Sequence, residues 1–376
     1  MKYWSKHDTI VVFFVALFIR LISVLITTIT SLNVYSQADA NHFAIHAEWI
    51  ATTVLSGSIP PLNFDDIYHV WGAMLSPFWI IPGPSRIYAR VGIAILGAIA
   101  VYNVYIIVRH YHSRYAGVLA VLPMLFYPSF LFLHAAILRE AMILFGLTSA
   151  ARLLLTPSPK LNTISTYTLA AFFISIATIL RDDNLPVYLL VLVIAAFLVL
   201  KPWQRYKKLT ATAVGIGTAT ALAVIVIYGR QMLEYFIYLR QARSRGRTGY
   251  LGSVLPDTLP PAIAFSWVGA MYFLFTPFPW MISHSMDFVI LGESITNLIY
   301  AVAAISGARI LAKKTLAGTV ALILGIVVGT LLYGLGTVNV GTAVRHRQMV
   351  LWAIFLLGGI GIAQYICIRM SSIQHS

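Results

Sequence analysis

The chain has 376 residues, of which 59% are hydrophobic and only 10% charged, and its mean hydropathy is +0.84. Soluble domains carry about 25% charge, so this much apolar surface excludes a water-facing fold and calls for lipid as the main solvent. No polar stretch is long enough for an attached nucleotide-binding domain, and a single cysteine, Cys367, excludes an internal disulfide or a cysteine metal cluster.

A helix crosses the ~30 Å hydrocarbon layer in about 20 residues. Apolar runs between polar breaks predict about ten transmembrane helices, at 9–30, 87–108, 115–133, 138–156, 162–180, 185–200, 209–228, 287–308, 315–335 and 349–368. Two further apolar stretches, 67–82 and 262–284, are broken or ended by Pro77, Pro82 and Pro84 and by Pro277 and Pro279. Both are expected as interfacial or re-entrant helices in extracytoplasmic loops, packed on protein rather than lipid. The predicted fold class is an all-α multi-pass membrane protein in one domain, 1–376. Its two large extracytoplasmic segments are the first loop, 31–86, and an arginine-rich loop with an apolar re-entrant segment, 229–285.

Charge sets the orientation. All eight lysines (Lys2, Lys6, Lys160, Lys201, Lys207, Lys208, Lys313 and Lys314) fall on one side of this arrangement, with Arg109, Arg114, Arg152, Arg205, Arg309 and Arg369 and one acid, Asp8. That side is cytoplasmic and holds both termini. On the other side eleven arginines balance eleven acids. The net charge of +14 is thus positive-inside bias and no argument for nucleic acid. Ala38-Asp39-Ala40 has the form of a signal-peptide cleavage site. The 22-residue apolar run before it is too long for a signal core, so it is expected to stay as the first helix. Arg20 lies inside that helix. Burial at a helix centre costs about 2.5–3.5 kcal/mol, so Arg20 is expected to face the bundle interior or snorkel to one end. Gly325-x-x-x-Gly329 is expected to allow close helix packing.

The first loop holds Asp39, Glu48, Asp65 and Asp66 and no lysine or arginine between 21 and 85. A helix is expected from Ala38 to about Val54. No cofactor is predicted; His42 and His46 share a helix face with Asp39 but lack a fourth ligand, which leaves a divalent cation as an open alternative. Residues 229–261 carry Arg230, Arg240, Arg243, Arg245 and Arg247 against Glu234 and Asp257. Five external arginines run against the orientation rule, and the planar guanidinium suits bidentate phosphate binding. Further charges stand at expected external helix ends: Arg139-Glu140, Arg181-Asp182-Asp183-Asn184, Glu293, and Arg345-His346-Arg347 after Asn339-Val340-Gly341-Thr342. A capping role is expected for Asp182-Asp183.

Several of these segments resemble the GT-C class of membrane glycosyltransferases, which includes the protein O-mannosyltransferases and lipid A aminoarabinose transferases. They are Asp39-Ala40-x-x-Phe43-x-x-x-Ala47 with Gly57, and Tyr68 to Ile81 followed by Pro84-Ser85-Arg86 and Arg90. Pro128 with Arg139-Glu140, Thr276-Pro277-Phe278-Pro279-Trp280, and Gly341 to Arg347 complete the set. Two features depart from that class: Phe43 stands where a tyrosine is usual, and Ala40 follows Asp39 where the O-mannosyltransferases pair Asp with Glu. The resemblance implies a GT-C-like fold and transfer with inversion at the anomeric carbon.

An external active site lies apart from cytoplasmic nucleotide sugars, so a polyprenyl-phosphate-linked sugar is the expected donor, with a glycan, lipid or protein as acceptor. Asp39 is the expected base, with Asp65, Asp66 and Glu140 as further catalytic candidates. Arg139, Arg181, Arg240, Arg243, Arg247, Arg345, His346 and Arg347 are the expected phosphate-binding residues. Two alternatives stand beside this reading. One is a polysaccharide polymerase or O-antigen-type ligase. The other is a lipid-linked sugar flippase, which needs a charged path through the membrane centre, where only Arg20 stands.

Overall fold

The computed structural model describes residues 6–30, 37–201, 204, 207–244, 248–252, 254, 256 and 258–374. These residues are almost entirely helical. In order they form α1 (Lys6–Ile29), α2 (Gln37–Leu55), α3 (Ile67–Leu75), α4 (Pro77–Ile80), α5 (Arg86–Tyr111), α6 (Arg114–Phe126), α7 (Pro128–Leu133), α8 (Glu140–Leu155), α9 (Thr163–Leu180) and α10 (Leu185–Leu200). They continue with α11 (Lys207–Arg243), α12 (Leu259–Phe275), α13 (Ser285–Ala312), α14 (Leu316–Gly336), α15 (Val340–His346) and α16 (Gln348–Gln374). Among the described residues, seven helices are long and apolar enough to span a bilayer. Large apolar side chains such as Phe14, Phe18 and Leu25 point outward from them, as lipid-facing residues must. The chain is a multi-pass helical membrane protein.

Three of the ten expected spans are not among these seven: 138–156, whose helix α8 has 16 residues, 115–133 and 209–228. The run 115–133 is not one helix: α6 ends at Tyr127, whose extended backbone precedes Pro128, and α7 restarts there. A residue before proline is pushed out of the helical region, which breaks the rod although hydropathy is unbroken. The span at 209–228 does not stop at its polar edge; α11 continues to Arg243, so the arginine-rich loop begins as helix. Elsewhere polar caps mark helix starts as expected of short side chains: Asn162 Oδ1 accepts from Ser165 N at 2.7 Å and Ser113 Oγ from Ala116 N at 3.1 Å. Asp287 Oδ2 does the same for α13, accepting from the amides of Ser283 and His284 at 2.9 Å each.

The chain divides into two compact units. Unit 1 comprises residues 1–185, 299–307 and 354–376. In it α5 packs against α1, α6 and α8, through a face rich in small residues that includes Ala94, Gly97, Ala98 and Ala100. Arg20 is fully buried there, as expected of a residue facing the interior. Its Nη2 donates to Met124 O at 3.0 Å and its Nη1 to Ala16 O at 3.3 Å. Unit 2 comprises residues 186–298 and 308–353. Its closest backbone approach is between Gly269 of α12 and Gly334 of α14, where a Cβ on either would strike the other helix's main chain. Of the two glycines expected to allow close packing, Gly329 does so, since a Cβ there would lie 3.2 Å from Val350 Cγ2, whereas at Gly325 the nearest described atom is Val191 Cγ2 at 4.0 Å.

Candidate functional site

In unit 1 the helix expected from Ala38 is α2. Asp39 lies half-buried in its first turn, and Tyr68 Oη donates to Asp39 Oδ1 at 3.4 Å. The Tyr68 ring lies among the rings of His42, Phe43 and His46, with centroids 4.9–5.6 Å away. Phe43 therefore packs beside the acid. The side chain of Arg86, at the start of α5, donates to Asn41 Oδ1 at 3.1 Å, bringing a guanidinium to the same turn of α2.

The other catalytic candidates of unit 1, Asp65, Asp66 and Glu140, stand in different local settings. Asp66 caps α3, its Oδ1 accepting from Tyr68 N at 2.8 Å. Asp65 is exposed and donates its amide to Asn63 Oδ1 at 3.0 Å, closing a turn. Glu140 is fully buried at the start of α8 and pairs with Arg181 Nη2 at 3.3 Å. Arg139 Nη1 donates to Leu180 O at 2.5 Å, so this knot binds the beginning of α8 to the end of α9. Arg181 Nε and Nη1 are buried without a hydrogen-bond partner among the described residues. Asp182 and Asp183 are exposed, and Asp182 Oδ1 accepts from Asp183 N within a 3-10 turn; no side chain caps this turn, whose N-cap is Arg181, so the expected capping is not what the pair does here.

Unit 2 gathers the second set. Residues 248–250 run alongside 338–340: Tyr250 N donates to Val338 O at 2.7 Å and Val340 N to Thr248 O at 3.0 Å. This short pairing joins the arginine-rich segment to the residues that open α15, and Asn339 both caps α15 and accepts from Thr248 Oγ1 at 3.1 Å. Arg345 and His346 lie on α15, and Arg347 caps its far end; all three are buried. Arg347 Nη2 pairs with Glu293 Oε2 at 3.0 Å, and Arg347 Nη1 donates to Thr276 O at 2.9 Å. The Thr276–Pro277 segment is thereby fastened to α13 and α15. His346 packs against the Tyr333 ring at 5.1 Å.

Arg240 is 2% exposed and has no carboxylate partner among the described residues. It donates to three backbone carbonyls, Leu335 at 2.9 Å, Leu251 at 2.5 Å and Val254 at 3.2 Å, and lies 4.8 Å from the centroid of the Phe265 ring. Tyr250 is the residue the sequence did not single out. Burial pushes its hydroxyl well above the usual tyrosine range, and Arg240 and Arg347, both close enough to act on it, oppose that rise. Its hydroxyl is buried with no hydrogen-bond partner among the described residues. An aromatic flanked by two glycines, Gly249 and Gly252, offers no sequence signal for this position. The Arg243 side chain and all of Arg245 and Arg247 lie outside the described residues.

A metal-capable group also occurs in unit 1. His46, Asp66 and His69 offer ligand atoms within 4.8 Å of one another; Asp39 and His42 do not belong to it.

No protein-family model matches the chain, and no curated protein matches it. Among solved structures it is similar to the crystal structure of ArnT from Cupriavidus metallidurans bound to undecaprenyl phosphate. The identity is 13%, the TM-score 0.40, and the match covers 96% of this chain and 79% of that one. The likeness runs along nearly the whole chain and is too loose to carry an argument about activity.

Proposed function

We propose that the chain transfers a sugar from a polyprenyl-phosphate donor to an acceptor hydroxyl at the extracytoplasmic face of the membrane. The observation that carries this reading is the buried cationic cluster of unit 2. Arg240, Arg345 and Arg347 are all less than a tenth exposed, and the pairing of 248–250 with 338–340 draws their segments together. Glu293 neutralises Arg347, whereas among the described residues Arg240 is held by backbone carbonyls. A buried cation without a counter-ion is costly. A bound phosphate lowers that cost, and Tyr250 supplies a hydroxyl donor beside it. The motif resemblance adds the sugar, which the charge pattern alone does not specify.

The chemistry divides accordingly. Asp39 takes the proton of the acceptor hydroxyl while that oxygen bonds to the anomeric carbon. The bond from that carbon to the phosphate oxygen breaks, and polyprenyl phosphate leaves with the electron pair. Attack opposite the phosphate inverts the anomeric centre. Within unit 2, taken by itself, Arg345 and His346 are the residues this reading gives to a phosphate. Arg240 supplies a fixed positive charge for the phosphate, and Arg347, paired with Glu293, is a positioning residue. Asp66 and Glu140 have capping and ion-pair roles and Asp65 is exposed, so the base is assigned to Asp39, half-buried against Tyr68.

The test uses membranes supplied with a radiolabelled polyprenyl-phosphate sugar. Loss of a general base lowers turnover by about 10²–10⁴-fold, so Asp39→Asn should fall in that range. Arg345→Ala should lose rate and donor affinity together. Undiminished transfer by Asp39→Asn removes Asp39 from the reaction. A ladder of products in place of a single addition would mean chain extension.

A further inference from the structure

Two helices of the first loop bring together a set of side chains that the transfer reaction does not use. His46 lies on α2, Asp66 is the N-cap of α3, and His69 is in α3's first turn. Gly72 makes the approach possible: a Cβ there would lie 3.0 Å from His46 Cβ and 3.2 Å from Ala47 N. With that space open, the His46 and His69 rings come to 5.2 Å between centroids.

The backbone orients two of the three groups. His46 Nδ1 lies 2.8 Å from His42 O. A carbonyl can only accept, so Nδ1 carries the proton and Nε2 keeps its lone pair, the arrangement found in metal-binding histidines. Asp66 commits Oδ1 to the Tyr68 amide, leaving Oδ2, which lies 4.0 Å from His69 Nε2. His69 is the part that must change. Its Nδ1 accepts from Asn63 N at 3.1 Å, which places the proton on Nε2. Ligation through Nε2 moves that proton to Nδ1 and releases the Asn63 amide, so the 63–66 turn relaxes as the ion enters.

We propose that His46, Asp66 and His69 bind one divalent ion of the Zn²⁺ class, leaving a fourth position open to water. Two imidazoles and one carboxylate suit Zn²⁺ and its borderline neighbours; Mg²⁺ and Ca²⁺ require mostly oxygen ligands. The ion ties α2 to α3. It thereby fixes the segment in which the Tyr68 hydroxyl meets Asp39.

The experiment uses the full chain in detergent, stripped with a chelator and titrated with Zn²⁺ against a chromophoric competitor. One equivalent of tight binding is expected, insensitive to excess Mg²⁺. His46→Gln and His69→Gln should each weaken it at least tenfold. Asp66→Asn should do so too while retaining an oxygen to cap α3. His42→Gln, which alters a neighbour of Tyr68 outside the metal group, should bind as the unaltered chain does. Co²⁺ added to the unaltered chain should give visible d–d absorption, a readout independent of any variant's folding. Absence of stoichiometric Zn²⁺ uptake by the unaltered chain overturns the proposal. So does uptake that persists in the His46→Gln/His69→Gln double variant. Neither result depends on sugar transfer.

Discussion

The pair Glu293–Arg347 sets a sharp energetic test of the unit 2 site. Arg347 is fully buried and the Glu293 side chain is 3% exposed, so neither charge is hydrated. Removing one partner of such a pair leaves the other charge buried alone and costs about 3–5 kcal/mol. Glu293→Ala should therefore lower the melting temperature of the purified chain strongly. At about 2–4 °C per kcal/mol for a unit of this size, the drop is on the order of 10 °C. Glu293→Gln keeps an oxygen for Arg347 Nη2 but loses the charge, and should fall between. The double change Glu293→Leu/Arg347→Met removes both charges, and buried pairs replaced by apolar groups are often neutral. It should therefore melt nearer the unaltered chain than either single change does. Arg230–Glu234 is the internal control, since its side chains are 90% and 62% exposed and such i,i+4 pairs contribute about 0.3–0.5 kcal/mol. The assay is thermal unfolding in detergent, followed by size-exclusion fluorescence at constant lipid and salt. If Glu293→Ala melts no lower than Glu234→Ala, the pair is not the latch described above, and the fastening of Thr276 to α15 through Arg347 loses its basis.

Tyr250→Phe removes a buried hydroxyl that has no partner in the ligand-free protein, so its stability should equal or exceed that of the unaltered chain by up to about 1–3 kcal/mol. The same variant should transfer sugar more slowly if the hydroxyl meets phosphate, and an unchanged rate would remove Tyr250 from the site. Because the folded pKa of Tyr250 is raised, its contribution to stability is complete below about pH 10 and declines as pH rises beyond that. Melting curves taken between pH 8 and 11 should show this alkaline loss in the unaltered chain and less of it in Tyr250→Phe. Gly269→Ala drives a methyl into the α14 backbone at Gly334 and should destabilise unit 2 by about 1–3 kcal/mol, whereas Gly325→Ala, with open space around it, should be tolerated. In unit 1, Gly97→Ala places a Cβ 2.6 Å from His134 Nδ1 and 2.8 Å from Arg20 Nε. It should lower the yield of folded protein, as measured by the monodisperse fraction after extraction.

Hydropathy located the helices because a lipid-facing rod needs apolar residues on most of its surface, and α1, α5 and α9 follow that rule closely. It failed at Tyr127–Pro128, where the run stays apolar while the backbone breaks, since the cause is steric. It failed again at the end of α11. Arg230, Gln231, Glu234 and Arg240 interrupt hydropathy, yet all are good helix formers. The arginines are expected as anion ligands because lysine is absent from the side expected to be external; their burial was not part of that reading. Their partners were not legible. Arg240 meets carbonyls 95 and 11 positions away, and Arg347 meets a carboxylate 54 positions away. Such separations leave no local pattern.

Those partners also explain why the arginines are not interchangeable. Arg347 is matched by the full negative charge of Glu293. Among the described residues Arg240 meets carbonyl dipoles, which accept from its two terminal nitrogens without cancelling its charge. The field at Tyr250 therefore stays positive, and an anion arriving there meets a cation already fixed in place, with no side-chain entropy left to lose. A lysine at position 240 could reach one carbonyl or two but not span three, because it lacks the guanidinium's planar fork. On this argument Arg240→Lys keeps the charge and loosens the segment. Its signature in the transfer assay should be weaker donor binding at near-normal maximal rate, whereas Arg345→Ala should lower both. If Arg240→Lys instead left donor affinity unchanged, the carbonyl cradle would be a folding device with no bearing on the anion site.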